Sequence, residues 1–401
     1  MAATPPPRVP GSAVFFPMAA AYAAVVLPAS VAAMTGMTGA FPGLATPAGH
    51  AHEMLFGFAL AVVAGNQLGL RTRGVVVVLV SLWMIARVAF VFAPHGRFTT
   101  LADVAFPVLL AGHLAPRLLG SAKKWRNRAL PVMLAAICGS AVVVAFIVHG
   151  VGPVQGPFAD PHRVLRVAVA LFALLLLFMG GRITAPTVAG QLQRQGIAMP
   201  ARVQPRVEGA LIALMLGATI ALAASPEPAD GPQWMADAAG AALIAAGALA
   251  AVRLARWRLW ALRGRPDLWC LAAGSAWLAL GLVLLGMAQA GLVLGSRETT
   301  AALHVITIGS LGTLTLNVMA MTALSRVRDA SAALRRLPVV GTLLLAAAVA
   351  LRLAAGRVGD LRTLLVAAAM CWAAAFALLF VLLLHARLQA RPRHARAVVT
   401  R

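Results

Sequence analysis

The stretch GVVVVLVSLWMIARVAFVFA (74–93) contains one charged side chain, Arg87, in an otherwise apolar run. A helix rises about 1.5 Å per residue, so the stretch is long enough to cross the roughly 30 Å hydrocarbon core of a bilayer. It lacks the alternation of apolar and polar residues that is typical of a barrel strand. In hydrocarbon, only helices and closed barrels satisfy their own backbone groups. The stretch therefore predicts a transmembrane helix.

The same pattern recurs along the whole chain of 401 residues, which is 61% hydrophobic and only 11% charged. Soluble domains carry about a quarter charged residues, so the composition excludes an ordinary soluble protein. We predict an all-α, polytopic integral membrane protein, a bundle of about 12 transmembrane helices that forms one domain (1–401). Its tails are a short N-terminal one (1–12) and a basic C-terminal one (387–401). The predicted spans are 13–34, 52–70, 74–93, 99–119, 129–149, 163–183, 206–225, 233–253, 268–288, 300–324, 335–355 and 361–386.

The net charge of +23 comes from lysines and arginines that lie in short groups between the apolar runs. They concentrate in the N-terminus, the even-numbered loops and the C-terminus, whereas the odd-numbered loops contain only Arg97, Arg297, Arg357 and Arg362. By the positive-inside rule, both termini are predicted to be cytoplasmic. The basic excess then marks inner loops that meet membrane lipid, and we predict no nucleic-acid partner.

Most histidines fall on the outer face of this topology, and imidazole commonly binds haem iron or copper. His52 begins the second span and His304 lies near the outer end of the tenth, so their predicted depths are similar. Each precedes a glycine by five residues, Gly57 and Gly309 respectively. Small residues there would let a neighbouring helix or a flat macrocycle approach the backbone closely.

His50 and His52 are two residues apart, which places them about 200° apart around a continuous helix. They could converge on one ion only if His50 lies in the loop. A metal site of that kind could use His50, His52 and Glu53 as ligands, whereas haem iron would take imidazoles from different helices. A carboxylate beside two histidines also suits proton transfer, and the spacing alone favours none of these outcomes.

Two intramembrane charges, Arg87 in the third span and Asp103 in the fourth, are predicted to lie at one level. An unpaired charge at that depth is costly, so we predict that they form an ion pair. In the functional alternative, Arg87 binds a haem propionate.

Several motifs between residue 50 and about residue 325 resemble the NnrS family of multi-helix bacterial inner-membrane proteins, which are associated with haem, copper and the response to nitric oxide. The resemblance rests on these segments: HAHEMLFGFALAVVAG (50–65), Trp83 with Arg87, DVAF (103–106), Arg126 with Asn127, GGRI (180–183) and HVITIGSLGTLTLNVM (304–319).

The resemblance implies a multi-pass protein of the bacterial inner membrane with a redox or ligand site near its periplasmic face, involved in the response to nitrosative stress. It implies cofactor binding by His50, His52, His304 and Arg87, and metal binding by His50, His52, Glu53 and His304. Asp103 and Arg182 are implied as associated polar positions. The expected cofactors are haem and, as a second, copper, and nitric oxide is the expected small-molecule partner.

Two alternatives remain open at this stage, and the reaction, if there is one, is not defined. Twelve helices with both ends inside are a common transporter layout, and Glu53 could serve a proton-coupled secondary transporter. The second alternative is a family member that binds no cofactor, because the segments QLGLRTRG (67–74) and SRVRDAS (325–331) depart from the family pattern.

Overall fold

The computed structural model describes residues 7–122, 125–151, 159–199, 204–224, 233–293, 295–327, 331–357 and 360–389. These residues are almost entirely helical, which confirms the predicted all-α class. One short exception is an antiparallel ribbon of β1 (Arg8–Pro10) and β2 (Leu70–Thr72). Most of the two predicted tails, residues 1–6 and 390–401, lies outside the described residues.

Eleven helices of the described residues are long and apolar enough to cross a membrane, as expected for a multi-pass membrane protein. A twelfth helix runs from Pro47 to Gln67 and precedes β2. Which end faces the cytoplasm stays a prediction. The helices are α1 (Gly11–Met34), α2 (Pro47–His52), α3 (Leu60–Gln67), α4 (Arg73–Phe92), α5 (Arg97–Ser121), α6 (Trp125–Val148), α7 (Pro161–Arg182), α8 (Thr184–Arg194), α9 (Pro205–Ala224), α10 (Gln233–Ala255), α11 (Pro266–Gln289), α12 (Ser296–His304), α13 (Thr313–Leu324), α14 (Ala332–Ala354) and α15 (Leu361–Gln389).

The second helix begins earlier than the sequence predicts, and the reason is local. Pro47 occupies the first helical turn, where its missing N–H costs nothing, and the Thr46 side chain accepts a hydrogen bond from the Gly49 backbone N–H. His50 therefore lies inside α2 rather than in the preceding loop.

Two stretches of π-helix interrupt the α-helical path, and each follows a histidine directly. One runs from Glu53 to Ala59 between α2 and α3, and the other from Val305 to Gly312 between α12 and α13. In a π-helix, each hydrogen bond joins residues that are five apart. Each histidine also lies five residues before its glycine, so the two residues are separated by one such wide turn. Within globular proteins such turns are frequent at functional sites.

Close backbone contact holds neighbouring helices together at glycines. A Cβ added to Gly240 of α10 would lie 2.7 Å from the Gly286 carbonyl oxygen of α11. A Cβ added to Gly286 would lie 2.6 Å from the Gly240 carbonyl oxygen. Gly309 and Gly312, in contrast, are covered by the rings of Trp277 and Trp372. Helix packing therefore explains these two glycines, and their faces are filled by tryptophan.

Because successive helices run antiparallel, one end of the bundle contains the C-terminus of α1 and the N-terminus of α2. We call this the histidine end, because His50, His52, His149 and His304 all lie at it. The opposite end contains the C-termini of α7 and α10.

Candidate functional site

Arg87 of α4 forms ion pairs with two carboxylates at the histidine end. Its Nη1 donates to Glu53 Oε1 and its Nη2 donates to Asp103 Oδ1. All three side chains are buried, with at most 4% of any of them exposed. The predicted pair of Arg87 and Asp103 is confirmed, and Glu53 is a second partner that the sequence did not indicate. Pairing offsets the cost of removing these charges from water.

Two imidazoles complete the charged network. His52 Nδ1 lies 2.9 Å from Glu53 Oε1, and His52 Nε2 lies 2.8 Å from Asp103 Oδ2. His149, the residue after α6, places its Nε2 3.1 Å from the same Asp103 oxygen, and its Nδ1 donates to the Pro94 carbonyl. The Oδ2 atom of Asp103 is therefore flanked by two imidazole nitrogens from separate helices.

Aromatic side chains enclose this network and exclude water from it. The His52 ring stacks on Phe90 with centroids 4.3 Å apart and an interplanar angle of 10°. Tyr22 of α1 donates its hydroxyl to Glu53 Oε2, and its ring meets Trp83 edge-on at 5.1 Å. We define the carboxylate cluster as Tyr22, His52, Glu53, Arg87, Asp103 and His149.

A glycine makes room for the carboxylate cluster. A Cβ added to Gly57 would lie 2.8 Å from Tyr22, 3.1 Å from Glu53 and 3.2 Å from Arg87. The Trp83 indole also donates to the Gly57 carbonyl at 2.9 Å, a group that lies in the π-helical turn. Gly57 is therefore required here for space.

His50 and His304 form a separate group, also at the histidine end. Both are half-buried. His50 Nδ1 lies 3.0 Å from Ser30 Oγ, and His304 Nδ1 lies 2.7 Å from the Thr300 carbonyl oxygen. The two imidazoles are close enough to interact electrostatically, and the charge of Arg352 on α14 acts on both. We call His50 and His304 the imidazole pair.

The partner at Nδ1 fixes the proton position of His304. A carbonyl oxygen only accepts, so Nδ1 of His304 donates, and a neutral ring then has its lone pair on Nε2. Metal-bound histidines are oriented in this way, with the second nitrogen donating to an oxygen. Ser30 Oγ lies 3.0 Å from His50 Nδ1 and 3.4 Å from the Leu44 carbonyl oxygen, and a hydroxyl can donate to or accept from an imidazole nitrogen. His50 therefore has the same orientation in the tautomer that carries its proton on Nδ1.

The predicted ligand set His50, His52, Glu53 and His304 divides between the carboxylate cluster and the imidazole pair. Because His50 is inside α2, the loop position that would have let it converge with His52 does not occur. Among the described residues, no group of three or more His, Cys, Asp or Glu side chains is arranged to hold a metal ion. Cofactor binding by these residues and by Arg87 stays a prediction.

The sequence analysis did not single out Tyr22, His149 or Arg352. Tyr22 is the one tyrosine of the chain, and nothing else in the sequence marks it. His149 and Arg352 lie at helix ends, where an interfacial role is the ordinary interpretation. Arg182, predicted as an associated polar position, lies instead at the opposite end of the bundle, where it donates to Asn127 Oδ1.

The fold and these clusters define a class: an all-helical, multi-pass membrane protein with buried imidazole and carboxylate groups at one end. A protein-family model described as NnrS protein matches residues 13–391, nearly the whole chain. The chain belongs to the NnrS family, and it is an NnrS-like protein linked to the response to nitric oxide. No curated protein and no solved structure gives a significant match.

Proposed function

We propose that this protein binds haem through the imidazole pair, in the bacterial inner membrane and near its periplasmic face, as part of the response to nitrosative stress. The main supporting observation is the orientation of His50 and His304. His304 Nδ1 lies 2.7 Å from the Thr300 carbonyl oxygen, His50 Nδ1 lies 3.0 Å from Ser30 Oγ, and both rings are half-buried.

The residues around the imidazole pair fit a haem group. Histidine is a common protein ligand of haem iron, so His50, His304 or both would hold the group without a larger ligand set. A half-buried position suits a macrocycle that enters from the side of the bundle. Arg352 would supply the cation for a propionate, a role for which Arg87 is poorly suited because two buried carboxylates already pair with it.

Bound haem would supply redox chemistry or, where one axial position stays open, a site for a diatomic ligand such as nitric oxide. The protein's own residues would orient and shield it. Ser30 and the Thr300 carbonyl would hold the two rings in place through hydrogen bonds at Nδ1. A fixed ring lowers the cost of ordering the ligand when iron binds.

Copper is the second cofactor that we propose, and imidazole nitrogens suit it as ligands. The carboxylate cluster does not fit the ion, because Asp103 Oδ2 already lies within 3.1 Å of both His52 Nε2 and His149 Nε2. Among the described residues, no group of three or more metal-ligating side chains is arranged to hold an ion. His50 and His304 are therefore the candidate copper ligands as well.

The test is the absorption spectrum of protein expressed with ample haem and purified in mild detergent. We expect a Soret band in the wild type, most of which is lost in His304→Ala and in His50→Ala. His162→Ala is the matched control, because His162 is exposed at the same end of the bundle, and it should keep the full band. Equal haem content in all four proteins would exclude the imidazole pair.

Metal analysis of the same preparations tests the copper proposal. We expect copper in the wild type and its loss in His50→Ala or His304→Ala, whereas His162→Ala should keep it. A protein without haem and without copper, which accumulates a substrate in vesicles only while Glu53 is intact, would support the transporter alternative instead.

A further inference from the structure

At the end opposite the histidines, a cavity of about 260 Å³ opens between α6, α7, α9 and α10. Its walls combine apolar side chains such as Leu174, Phe178 and Ile212 with the guanidinium groups of Arg182 and Arg253. The haem and copper proposals do not involve this region. By the positive-inside prediction, it faces the cytoplasm.

Arg253 forms the deep, cationic part of the cavity. The side chain is only 5% exposed, and its Nη1 donates to the Leu177 carbonyl at 2.9 Å. Its guanidinium carbon lies 5.3 Å from the centre of the Trp257 ring. The Nε atom is buried with no hydrogen-bond partner among the described residues. A buried N–H of a cation without an acceptor is costly, so this position favours an anionic ligand.

The two consecutive glycines of GGRI (180–183) give the cavity its space. A Cβ added to Gly180 would lie 3.3 Å from Arg253 Nη2, and one added to Gly181 would lie 3.2 Å from Glu208 Oε1. Any larger residue would therefore press on the charged groups. This accounts for a motif that the histidine end leaves unexplained.

Arg182 stands at the exposed mouth of the cavity. Its guanidinium carbon lies 4.4 Å above the Phe178 ring, and its Nη2 donates to Asn127 Oδ1. Glu208 also lines the cavity and its charge acts on Arg253. Among the described residues that line the cavity, two guanidinium groups and one carboxylate give a net charge of +1, which suits a singly charged anion.

We propose that this cavity binds a phosphate group with one negative charge, and that an anionic phospholipid supplies it from the cytoplasmic leaflet. Guanidinium groups bind phosphate through parallel N–H donors, and basic pockets between transmembrane helices suit lipid headgroups. The apolar wall residues would contact the acyl chains. Soluble inorganic phosphate is the other source with the same chemistry.

The experiment measures thermal unfolding of the delipidated full chain in neutral detergent. Phosphatidylglycerol, phosphatidylcholine or inorganic phosphate is titrated in. We expect phosphatidylglycerol to raise the melting temperature of the wild type, with an apparent affinity about tenfold lower in Arg253→Gln and Arg182→Gln, because each loses a charge-assisted hydrogen bond. Arg256→Gln is the matched control, since Arg256 is exposed three residues further along the same helix end, and it should behave as the wild type.

Stabilisation by inorganic phosphate alone, lost in the same two variants, would support the phosphate site and assign it to a soluble source. Equal stabilisation of the variants and the wild type by phosphatidylglycerol would overturn the proposal. Phosphatidylcholine, whose phosphate charge is balanced by its choline ammonium, would also overturn it by acting as strongly as phosphatidylglycerol, because the net charge of the headgroup would then play no part. If Arg253→Gln does not fold, Arg182→Gln provides the test, since Arg182 is exposed.

Discussion

His50 and His52 lie two residues apart on α2, yet they belong to groups of opposite character. His52 is 1% exposed, lies between two carboxylates and stacks on an aromatic ring. His50 is half-buried, and among the described residues its hydrogen-bond contact is at Nδ1, with Ser30. In the proposed function, the carboxylate cluster stabilises the bundle and the imidazole pair binds the ligand. Each prediction below tests that division.

The largest effect is expected from Arg87→Ala, which leaves Glu53 and Asp103 buried without their cation. Breaking a buried pair in this way costs about 3–5 kcal/mol. Unfolding in detergent should show this loss, and adding Asp103→Asn should restore part of it by removing one of the two carboxylates. Arg97→Ala, at the same end but exposed, is the control and should have little effect. A double variant no more stable than Arg87→Ala would contradict the pairing.

A smaller loss is expected from Gly57→Ala, because the added methyl group meets Tyr22, Glu53 and Arg87 at 2.8–3.2 Å. Overpacking of this kind costs about 1–3 kcal/mol. Gly112→Ala is the matched control, since a Cβ there meets nothing within 4 Å, and it should leave the free energy of unfolding unchanged or slightly higher. Equal unfolding free energies of Gly57→Ala and Gly112→Ala would contradict the prediction, because the side chains of the carboxylate cluster would then move aside for the methyl group without cost.

Tyr22→Phe should cost about 1 kcal/mol of unfolding free energy, because one hydrogen bond to Glu53 is lost while Arg87 and His52 remain as its partners. The same unfolding assay measures it. A loss as large as that of Arg87→Ala would show that the hydroxyl, rather than the guanidinium, holds Glu53.

The smallest effect on stability is expected from Arg352→Gln, at the imidazole pair. The unfolding free energy of the cofactor-free protein should stay within about 0.5 kcal/mol, as for substitutions away from buried networks. Haem retention, measured by the Soret band after extended dialysis, should fall because the propionate loses its cation. Destabilisation comparable to that of Gly57→Ala would remove the contrast between the two groups.

The sequence predicted the features that depend on local composition. Spans of 20 or so apolar residues define helices directly, because hydrocarbon leaves the backbone few alternatives. The ion pair of Arg87 and Asp103 was predicted for a similar reason, since consecutive spans are antiparallel neighbours and charges at equal depth have to pair.

The contacts of His149 and Tyr22 could not be predicted, although each joins consecutive helices, because they depend on which face of each helix turns toward its neighbour. Tyr22 on α1 reaches Glu53 only through the packing of α1 against the second helix. The separation of His50 from His52 was missed for a different reason. The helix start depends on Pro47 and the Thr46 side chain, and helix ends are the least certain part of a sequence-based prediction.

The wide turn at Glu53–Ala59 also sets an angular relation between the two halves of that helix. Each residue of an α-helix turns the chain by about 100° around the helix axis. Adding or removing one residue within the wide turn would therefore rotate the preceding part of the helix by about that angle. Shortening the segment to a regular helix would turn His52 away from Asp103 and His50 away from Ser30 in one motion. The spacing in this segment is therefore as much a determinant of both groups as the identity of the side chains.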